Sequence, residues 1–390
     1  MKFKKRKDSF GDSTINVPFF VPDISRDDKI AIRDALNSLL LTAGPILSKF
    51  EKNFSDFVNS RYAIGVSNAT SALHLSLKSL GIGIGDEVIV PNITFVATAN
   101  AVLLAGATPV IVDVNDDLNI SVKSIENNLS KKTKAIIPVH LAGKICDIEQ
   151  ICKIAHKKNI FVIEDCAHGI GAFRKNNHVG TFGDIGCFSF YPTKNITTIE
   201  GGMIITKSKK ISEYIRSARN HGITKTLTQR YSHGLPWDYD IIEPGFNYRL
   251  DEIRSALGIS QLKRIKKLNQ KRKNACMYYN KKLNNIDGIQ IPNYSSNDSS
   301  YHLYILRIQD NFGISRNDLF KKLLKLGIRT SVHYKPLHEF SAIKKLANIS
   351  KNLEKSKLLY HEILSLPLYP QITKKEQDLV IKALISHKHH

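Results

Sequence analysis

The feature of this chain that most constrains its fold is an alternation of short apolar runs with helical stretches between Arg61 and about Lys207. Runs that are apolar nearly throughout are typical of parallel strands, because helices cover both faces of a parallel sheet. The predicted strands are Tyr62–Ser67, Glu87–Val90, Pro109–Val114, Ala135–His140, Ile160–Asp165, Cys187–Phe190 and Met203–Thr206. The predicted helices are Ser71–Leu80, Thr94–Leu104, Val122–Leu129, Ile148–Lys157 and Ile211–Asn220. The sequence therefore predicts an α/β fold with a large, mostly parallel central sheet covered by helices.

The C-terminal part of the chain has a different pattern. Its predicted elements are a loop-like region at Lys225–Tyr248, a helix from about Leu250 past Leu262, a strand at His302–Ile308, a helix at Arg316–Leu326, a short strand and turn at Arg329–Pro336, and a last ordered segment at Leu364–Thr373. A chain of 390 residues suits two domains of ordinary size. We therefore expect a large domain over residues 1–268 and a smaller α+β domain over residues 269–390.

The formal net charge of the chain is +22, and its lysines are spread along the whole length. A compositional bias of the source genome explains such a spread, and so does a field that attracts a substrate with two phosphates. A third alternative is a non-catalytic basic module that binds nucleic acid or a membrane, with an affinity that falls as salt rises. The dense run Lys2–Lys7 is predicted to be a solvated tail.

The sequence also indicates the compartment. No apolar run reaches the roughly 18 residues that a membrane span needs, and the basic segment Met1–Lys7 lacks the apolar stretch of a secretory signal. The five cysteines are scattered and form no CxxC pair, which favours reduced thiols and provides no zinc motif. We therefore expect a cytoplasmic protein with no membrane span and no metal site.

Two polar residues follow predicted strands of the sheet. Asp165 ends one strand, at the edge where open α/β sheets bind their ligands, and Lys194 lies between Cys187–Phe190 and the pair Gly201–Gly202. A buried carboxylate needs a cationic partner, and a protonated pyridine nitrogen is such a partner. Taken alone, an Asp at a strand end often just caps a turn, and most lysines of this chain are solvated. Together they indicate pyridoxal 5'-phosphate (PLP) chemistry, which requires this carboxylate and a lysine that forms an imine and relays a proton.

Two further segments at strand ends suit a phosphorylated aromatic cofactor. In Ser67–His74 a strand ends and a helix begins, so that free backbone amides and the positive helix end are available to an anion. The hydroxyl groups of Thr70 and Ser71 can add donors, although Ser and Thr are also ordinary helix caps. Phe95 lies just past another strand end, where its ring either stacks on a pyridine ring or packs in the core.

In this order, these residues resemble those of the DegT/DnrJ/StrS-type sugar aminotransferases, a branch of the PLP enzymes of fold type I, the aspartate-aminotransferase class. The resemblance covers nearly the whole chain, from Val17 to Pro370. It is carried by Leu41–Pro45, Ser67–Leu73, Asp165 with His168, Ser189 with Lys194, and Gly245–Leu250. The dehydratases of this family have histidine in place of the lysine, so Lys194 favours amino transfer over dehydration.

The resemblance implies a role for each matching residue. Lys194 would form the imine with PLP, Asp165 would bind the ring nitrogen, and His168, where many members have Gln, would hydrogen-bond the ring oxygen. The other implied cofactor contacts are Phe95 on the ring, Ala69, Thr70 and Ser189 on the phosphate, and Asn247 of the neighbouring subunit on the same phosphate. The last of these contacts implies a homodimer with shared active sites.

Thr42 and the segment Ser331–Pro336, with His333 and Tyr334, resemble positions that line a sugar-nucleotide site. His333 and Lys335 lie two residues apart, so an extended segment would turn both to one side. The form of the segment resembles enzymes that aminate carbon 4 of a UDP-linked 4-keto-6-deoxy sugar. The implied reaction moves an amino group from a donor, glutamate, to such a nucleotide-linked keto sugar in the assembly of a surface polysaccharide, a lipopolysaccharide or another glycan. The alternatives are a carbon-3 sugar aminotransferase and a PLP-dependent sugar dehydratase.

Overall fold

The computed structural model describes residues 6–8, 11–225, 235, 237–241, 243–293 and 298–386. The described strands are β1 (Arg6–Asp8), β2 (Gly11–Ile15), β3 (Tyr62–Val66), β4 (Glu87–Pro91), β5 (Thr108–Val112), β6 (Thr133–Ile136), β7 (Phe161–Asp165), β8 (Phe173–Arg174), β9 (Asn177–His178), β10 (Ile185–Ser189), β11 (Gly202–Thr206), β12 (Ile289–Gln290), β13 (Tyr304–Ile308), β14 (Asn348–Ile349) and β15 (Ile363–Leu366). The described helices are α1 (Arg26–Leu36), α2 (Pro45–Val58), α3 (Ala69–Ser79), α4 (Ala97–Leu104), α5 (Val122–Asn127), α6 (Ile148–Lys157), α7 (Lys209–Ala218), α8 (Glu252–Lys263), α9 (Ile265–Leu283), α10 (Arg316–Lys325), α11 (Ser341–Leu346), α12 (Glu354–Glu362) and α13 (Lys374–Ile385). Short 3-10 turns lie at Leu141–Gly143, Asp310–Phe312 and Leu337–Glu339.

An eight-stranded sheet forms the centre of the fold, in the order β14-β5-β4-β6-β7-β10-β11-β3. All neighbouring strands from β14 to β10 are parallel, and only β11 runs against the others. Alternate residues of β4 are buried on opposite faces, since Ile89 packs with α2 and α6 whereas Val88 and Val90 pack with α3 and α4. Helices thus cover both faces, which explains the continuous apolar strands. The predicted mostly parallel α/β sheet is confirmed.

The helices begin at residues that can cap them. The N-cap side chain accepts a hydrogen bond from the first turn at Ser25, Asn68, Ser121, Ser208, Asp251, Ser315 and Thr373. Each such cap stabilises its helix by about 1 kcal/mol, because it satisfies a backbone amide that has no partner inside the helix. Among the described helices, none has the length and apolar character needed to cross a bilayer.

A second, three-stranded antiparallel sheet lies in the C-terminal part, in the order β12-β13-β15. It packs on α9, α10 and α13 around a core that includes Tyr279, Tyr304 and Leu319. Helix α9 runs across the predicted domain boundary at 268/269, and β14 from the C-terminal part pairs with β5 of the large sheet. The division of the chain into two domains at that boundary stays a prediction.

Two predictions for the C-terminal part are wrong, and two of its strands were not predicted. The predicted strand within Arg329–Pro336 is a single bridge between Ser331 and Ser365, and a bend follows at His333. The ordered part does not end at Thr373, because α13 follows and buries an apolar face in the second core. The two strands that were not predicted are β12 and β15, which flank β13. Within the predicted loop Lys225–Tyr248, residues 226–234, 236 and 242 lie outside the described residues, as do residues 2–5 of the predicted basic tail.

Candidate active site

The C-terminal ends of the parallel strands meet at one edge of the large sheet, and residues predicted for the site follow them. Phe95 comes shortly after β4, Asp165 ends β7, and Ser189 ends β10. Strand β3 leads directly into α3, whose first residue is Ala69. The direction of the strands alone therefore collects these side chains at the edge where α/β folds bind ligands.

Asp165 is a buried carboxylate whose hydrogen bonds come from neutral donors. Its Oδ2 accepts from Thr98 Oγ1 at 3.0 Å, and its Oδ1 accepts from the Ala167 amide at 3.1 Å. Burial raises the pKa of Asp165, although both hydrogen bonds and the charge of Lys194 oppose this shift. A cationic N–H group next to this carboxylate would stabilise its ionised form.

Lys194 lies in a turn after β10, where its backbone amide donates to Tyr191 O at 2.9 Å. Burial lowers the pKa of its side-chain amine to about 8, while the charge of Asp165 acts in the opposite direction. An amine with this pKa is partly neutral near pH 7 to 8, and only the neutral amine attacks a carbonyl carbon or accepts a proton. Lys194 therefore has the protonation behaviour that a PLP lysine needs.

His168 is a neutral hydrogen-bond donor aimed at the site. Its Nδ1 accepts from the Ala142 amide at 3.3 Å, so the ring proton lies on Nε2, which is 3.2 Å from the Tyr334 hydroxyl. Burial, followed by the charge of Lys194, holds the pKa of His168 well below its ordinary value. The ring is thus uncharged at neutral pH, and one tautomer is favoured by the backbone.

The segment Ser331–Pro336 brings His333 to the same site. His333 Nδ1 lies 2.8 Å from Ser365 Oγ, and the imidazole stacks on Phe19 with ring centroids 5.5 Å apart. Burial and then the charge of Lys194 lower the pKa of His333 to about 3. A second neutral imidazole therefore lies near the lysine.

Tyr334 and Lys335 of this segment have different surroundings. The ring of Tyr334 lies 5.8 Å from that of Phe95, whose side chain remains 57% exposed. Lys335 is exposed, and its Nζ lies 3.9 Å from a carboxylate oxygen of Glu339. His333 and Lys335 are therefore not turned to one ligand, because a bend lies at His333 and the Lys335 side chain is exposed whereas that of His333 is largely buried.

The start of α3 offers backbone amides beside Ser189. Asn68 caps the amide of Ser71 at 2.8 Å, whereas the amides of Ala69 and Thr70 belong to the first turn and have no acceptor within the helix. A Cβ atom on Gly202 would lie 2.6 Å from the backbone of Asn68, so glycine permits β11 to approach this turn. The arrangement is suited to an anion such as a phosphate group.

Thr42 and Asn247 have no described contact with the other predicted site residues within one chain. Both residues are exposed, and their backbones form bridges with Asp251 and Asn220 respectively. The turn after Thr42 is held by Glu252. Its buried carboxylate accepts hydrogen bonds from the backbone amides of Gly44, Ile46 and Leu47. The predicted roles of Thr42 and Asn247 stay predictions.

The structure adds residues that the sequence did not single out. Thr98 of α4 bonds to Asp165, and the Oγ1 of Thr94, which lies just before this helix, is 3.0 Å from Thr98 Oγ1. Asn195 and His302 form a buried hydrogen bond beside Lys194. The four-residue spacing of Thr94 and Thr98 in the predicted helix Thr94–Leu104 was a detectable signal. The contact between Asn195 and His302 spans 107 positions, and no local sequence pattern indicates it.

His140, Glu164 and Cys166 bring three potential metal ligands together behind the site. Glu164 is fully buried, and its oxygens accept from the amides of Gly180, Phe182 and Gly183 and lie 2.9 Å from His140 Nε2. Burial, with the charges of Glu164 and Asp165, holds the pKa of the Cys166 thiol well above its ordinary value. These hydrogen bonds hold the loop after β9 in place and give the cluster a structural role without a metal.

The residues present fit a PLP cofactor. The buried carboxylate of Asp165 lacks a cationic hydrogen-bond donor among its described bonds, the aromatic face of Phe95 is open, and free amides begin α3. A protonated pyridine ring with a phosphate arm complements each of these features. Fold and site together define a PLP-dependent enzyme of fold type I.

The chain belongs to the DegT/DnrJ/EryC1/StrS aminotransferase family, whose family model matches residues 22–385. This match confirms the resemblance seen in the sequence, and it confirms PLP as the cofactor and amino transfer as the reaction class.

Related proteins agree with this assignment. The spore coat polysaccharide biosynthesis protein SpsC of Bacillus subtilis is 35% identical over 94% of this chain and 96% of its own length. Spr1654 from Streptococcus pneumoniae, in its PMP form, is similar in structure with a TM-score of 0.89 at 32% identity, covering 96% of this chain and 100% of the other. Helicobacter pylori PseC, an aminotransferase involved in the biosynthesis of pseudoaminic acid, has a TM-score of 0.88 at 31% identity, with 95% and 98% covered.

Proposed function

We propose that this protein transfers an amino group from glutamate to carbon 4 of a UDP-linked 4-keto-6-deoxy sugar, for a surface polysaccharide such as lipopolysaccharide. The observation that carries the proposal is that His333 and Tyr334 lie against the site of Lys194 and His168. The same segment carries the resemblance to carbon-4 aminotransferases. We also propose a cytoplasmic location, which is supported by the five free, buried thiols.

The site residues are proposed to divide between the ring and the phosphate of PLP. Lys194 forms the covalent bond, Asp165 binds the ring nitrogen, and His168 donates its Nε2 proton to the ring oxygen. The other contacts in the proposal are Phe95 on the ring face, and Ala69, Thr70 and Ser189 on the phosphate. Thr42, His333 and Tyr334 are proposed to contact the sugar nucleotide.

The side chains supply the proton handling that amino transfer needs. PLP, when bound, carries the amino group between the two half-reactions and delocalises the electron pair that remains when a proton leaves. Lys194, once released from its bond, holds that proton and returns it, which its pKa of about 8 permits. The negative charge of Asp165 keeps the ring nitrogen protonated, because a buried ion pair strongly opposes loss of that proton.

The substrate proposal predicts a clear preference among acceptors. With glutamate as donor, a UDP-linked 4-keto-6-deoxy sugar should be used with a kcat/KM roughly 100-fold above that of a 3-keto sugar or a free keto acid, because polar groups of the site would be left unpaired by the others. Steady-state kinetics with matched UDP- and dTDP-linked acceptors, followed by product analysis, measures this preference.

Each rival gives a different result in the same panel. A preference for the 3-keto sugar would make the protein a carbon-3 aminotransferase, and a preference for the dTDP form would overturn the proposed base. Loss of a hydroxyl group without gain of nitrogen would identify a dehydratase. Turnover of keto acids with no sugar accepted would defeat the sugar substrate. Salt-sensitive nucleic-acid binding without a bound chromophore would favour the basic module.

We further propose a homodimer in which Asn247 reaches the phosphate in the partner's site. Its exposed position in one chain is compatible with this role. Co-expression of Lys194→Ala with Asn247→Asp should then restore about one quarter of the wild-type activity, since half of the dimers are mixed and each of these contains one intact site. Activity of the co-purified mixture measures this complementation.

The matched control is co-expression of Lys194→Ala with Asp165→Asn. These two residues lie in one chain's site, so each site of a mixed dimer carries a defect and activity should stay absent. A fully active monomer in light scattering, or equal restoration in both mixtures, would contradict the shared site.

A further inference from the structure

The segment Ser300–His302 of the C-terminal part lies between the loop that carries His168 and the turn that carries Lys194. Ser300 Oγ donates to His168 O at 2.5 Å, and Ser300 O accepts from Asn195 Nδ2 at 2.7 Å. Asn195 directly follows Lys194 in the chain. One short segment thus bonds to the backbone of His168 and to the neighbour of the lysine.

The hydrogen bonds of Asn195 determine which nitrogen of His302 carries the proton. Asn195 Nδ2 donates to Ser300 O, a backbone carbonyl that can only accept, and to Asn269 Oδ1 at 2.7 Å. The amide is therefore oriented with Oδ1 towards His302 Nδ1, 2.8 Å away. His302 must be the donor in this bond, and both side chains are buried.

His302 also packs directly on His168. The two imidazole rings have centroids 4.3 Å apart and planes inclined by 35°. The backbone amides of His302 and Leu303 donate to Ala142 O, while the amide of Ala142 donates to His168 Nδ1. The ring of His302 therefore contacts the face of the His168 ring, and the Ala142 amide contacts its edge. These two residues are themselves joined by a backbone hydrogen bond.

Gly143 permits this close packing. Its φ is +90°, and a Cβ atom there would lie 2.2 Å from Ser300 Oγ and 3.0 Å from His168 O. A side chain at this position would push the segment Ser300–His302 away from the site. The approach of the two backbones is therefore a built feature of the fold.

We propose that His302 and Asn195 are positioning residues for amino transfer. They fix the position of the Lys194 turn relative to the His168 ring. The inference rests on the proposed roles of Lys194 and His168. His302 acts mainly through its Nδ1–H bond to Asn195, its ring contact with His168 contributes less, and neither residue needs to touch the substrate.

Two substitutions of His302 separate the bond from the ring. His302→Phe keeps an aromatic ring against His168 but removes the donor to Asn195, whereas His302→Asn keeps a donor near the Nδ1 position and removes the ring. We expect kcat of His302→Phe to fall on the order of 10–100-fold, because misplacement by about 1 Å costs this much. KM for both substrates should change less than about threefold, and His302→Asn should recover most of kcat.

A readout independent of turnover follows Lys194 itself. In the full-length protein freed of PLP, the pH dependence of Lys194 acylation by acetic anhydride, measured by peptide mass spectrometry, should have its midpoint near 8 in the wild type. A lysine released from its turn should move towards the ordinary value of 10.5, so the midpoint should rise in His302→Phe and stay unchanged in His302→Asn. Asn195→Ala should behave as His302→Phe does, and the double variant should be no worse than either single variant.

Folded His302→Phe with wild-type kcat and an unchanged midpoint would overturn the inference, and so would equal loss in His302→Phe and His302→Asn. If His302→Phe does not fold, Asn195→Ala provides the same test. Failure of the proposed function is a separate result: PLP would then remain covalently bound in Lys194→Ala, whatever the His302 variants show.

Discussion

Replacement of Lys194 by alanine is expected to abolish both turnover and covalent attachment of PLP. The amine of Lys194 has a pKa of about 8, which makes it both a nucleophile for the cofactor and a carrier for the transferred proton. Loss of a positioned general base alone costs up to about 10⁴-fold in rate, and loss of the covalent bond removes the starting state as well. Borohydride reduction followed by mass spectrometry detects attachment, and steady-state kinetics with glutamate detects turnover.

The control for this variant is Lys209→Ala. Lys209 is exposed at the start of α7, with its Nζ 3.6 Å from Glu213, and its removal should leave activity and PLP content unchanged. Thermal denaturation should show a folded protein for both variants, because the side chain of Lys194 makes no described hydrogen bond that holds the fold together. Retention of reduced, covalently bound PLP by Lys194→Ala would disprove the assignment.

The parallel sheet was predictable because its strands are apolar on both faces. Residues such as Val88, Ile89 and Val90 are all buried, and only a strand between two helical layers requires such a run. Since parallel strands end at one edge, Asp165 and Ser189 could be expected near each other from sequence alone. The resemblance to the family motifs then indicated which chemistry occurs at this edge of the sheet.

The contacts of the C-terminal part with the site were not predictable in this way. Tyr334 meets His168 across 166 positions, and His302 meets Asn195 across 107. Such contacts depend on how distant parts of the chain pack on one another, and no local sequence period indicates them. The error at Arg329–Pro336 has the same origin, because Val332 and Tyr334 pack against a buried cluster from distant parts of the chain, and only Ser331 pairs with a strand.

Thr42 and Asn247 show a further limit. Their side chains are exposed in one chain, so the geometry of a single protomer assigns them no ligand. A shared site distributes its residues over two chains, and the sequence motif can point to a role that only an assembly completes. The complementation experiment is therefore the direct test for Asn247.

Replacement of Asp165 by asparagine is expected to remove most activity while the fold survives. Asparagine has the same shape, its Oδ1 can still accept from the Ala167 amide, and its Nδ2 can donate to Thr98 Oγ1. The negative charge is lost, however, and with it the stabilisation of a protonated ring nitrogen. One pKa unit corresponds to about 1.4 kcal/mol, so a fall of three units in the pKa of that nitrogen corresponds to a rate loss of about 1000-fold.

The matched control is Asp184→Asn, at the opposite end of the same strands. Asp184 Oδ2 accepts from the Val162 amide at 2.8 Å, and it lies at the edge remote from Lys194. Its substitution should leave kcat near the wild-type value, although the melting temperature falls. Asp165→Asn should have the reverse profile, because burial without a cation raises the pKa of Asp165 and makes its charge costly in the unliganded fold.

The decisive comparison is therefore between the stability of the PLP-free Asp165→Asn protein and the rate of the PLP-loaded one. A structural role would lower the melting temperature of the PLP-free protein together with the activity, whereas an electronic role lowers kcat although the PLP-free protein melts at or above the wild-type temperature. The visible spectrum of bound PLP should also shift, because it depends on protonation of the ring system. Near-normal turnover in a folded, PLP-loaded Asp165→Asn would show that the ring nitrogen does not need this carboxylate, and the assignment of Asp165 would fail with it.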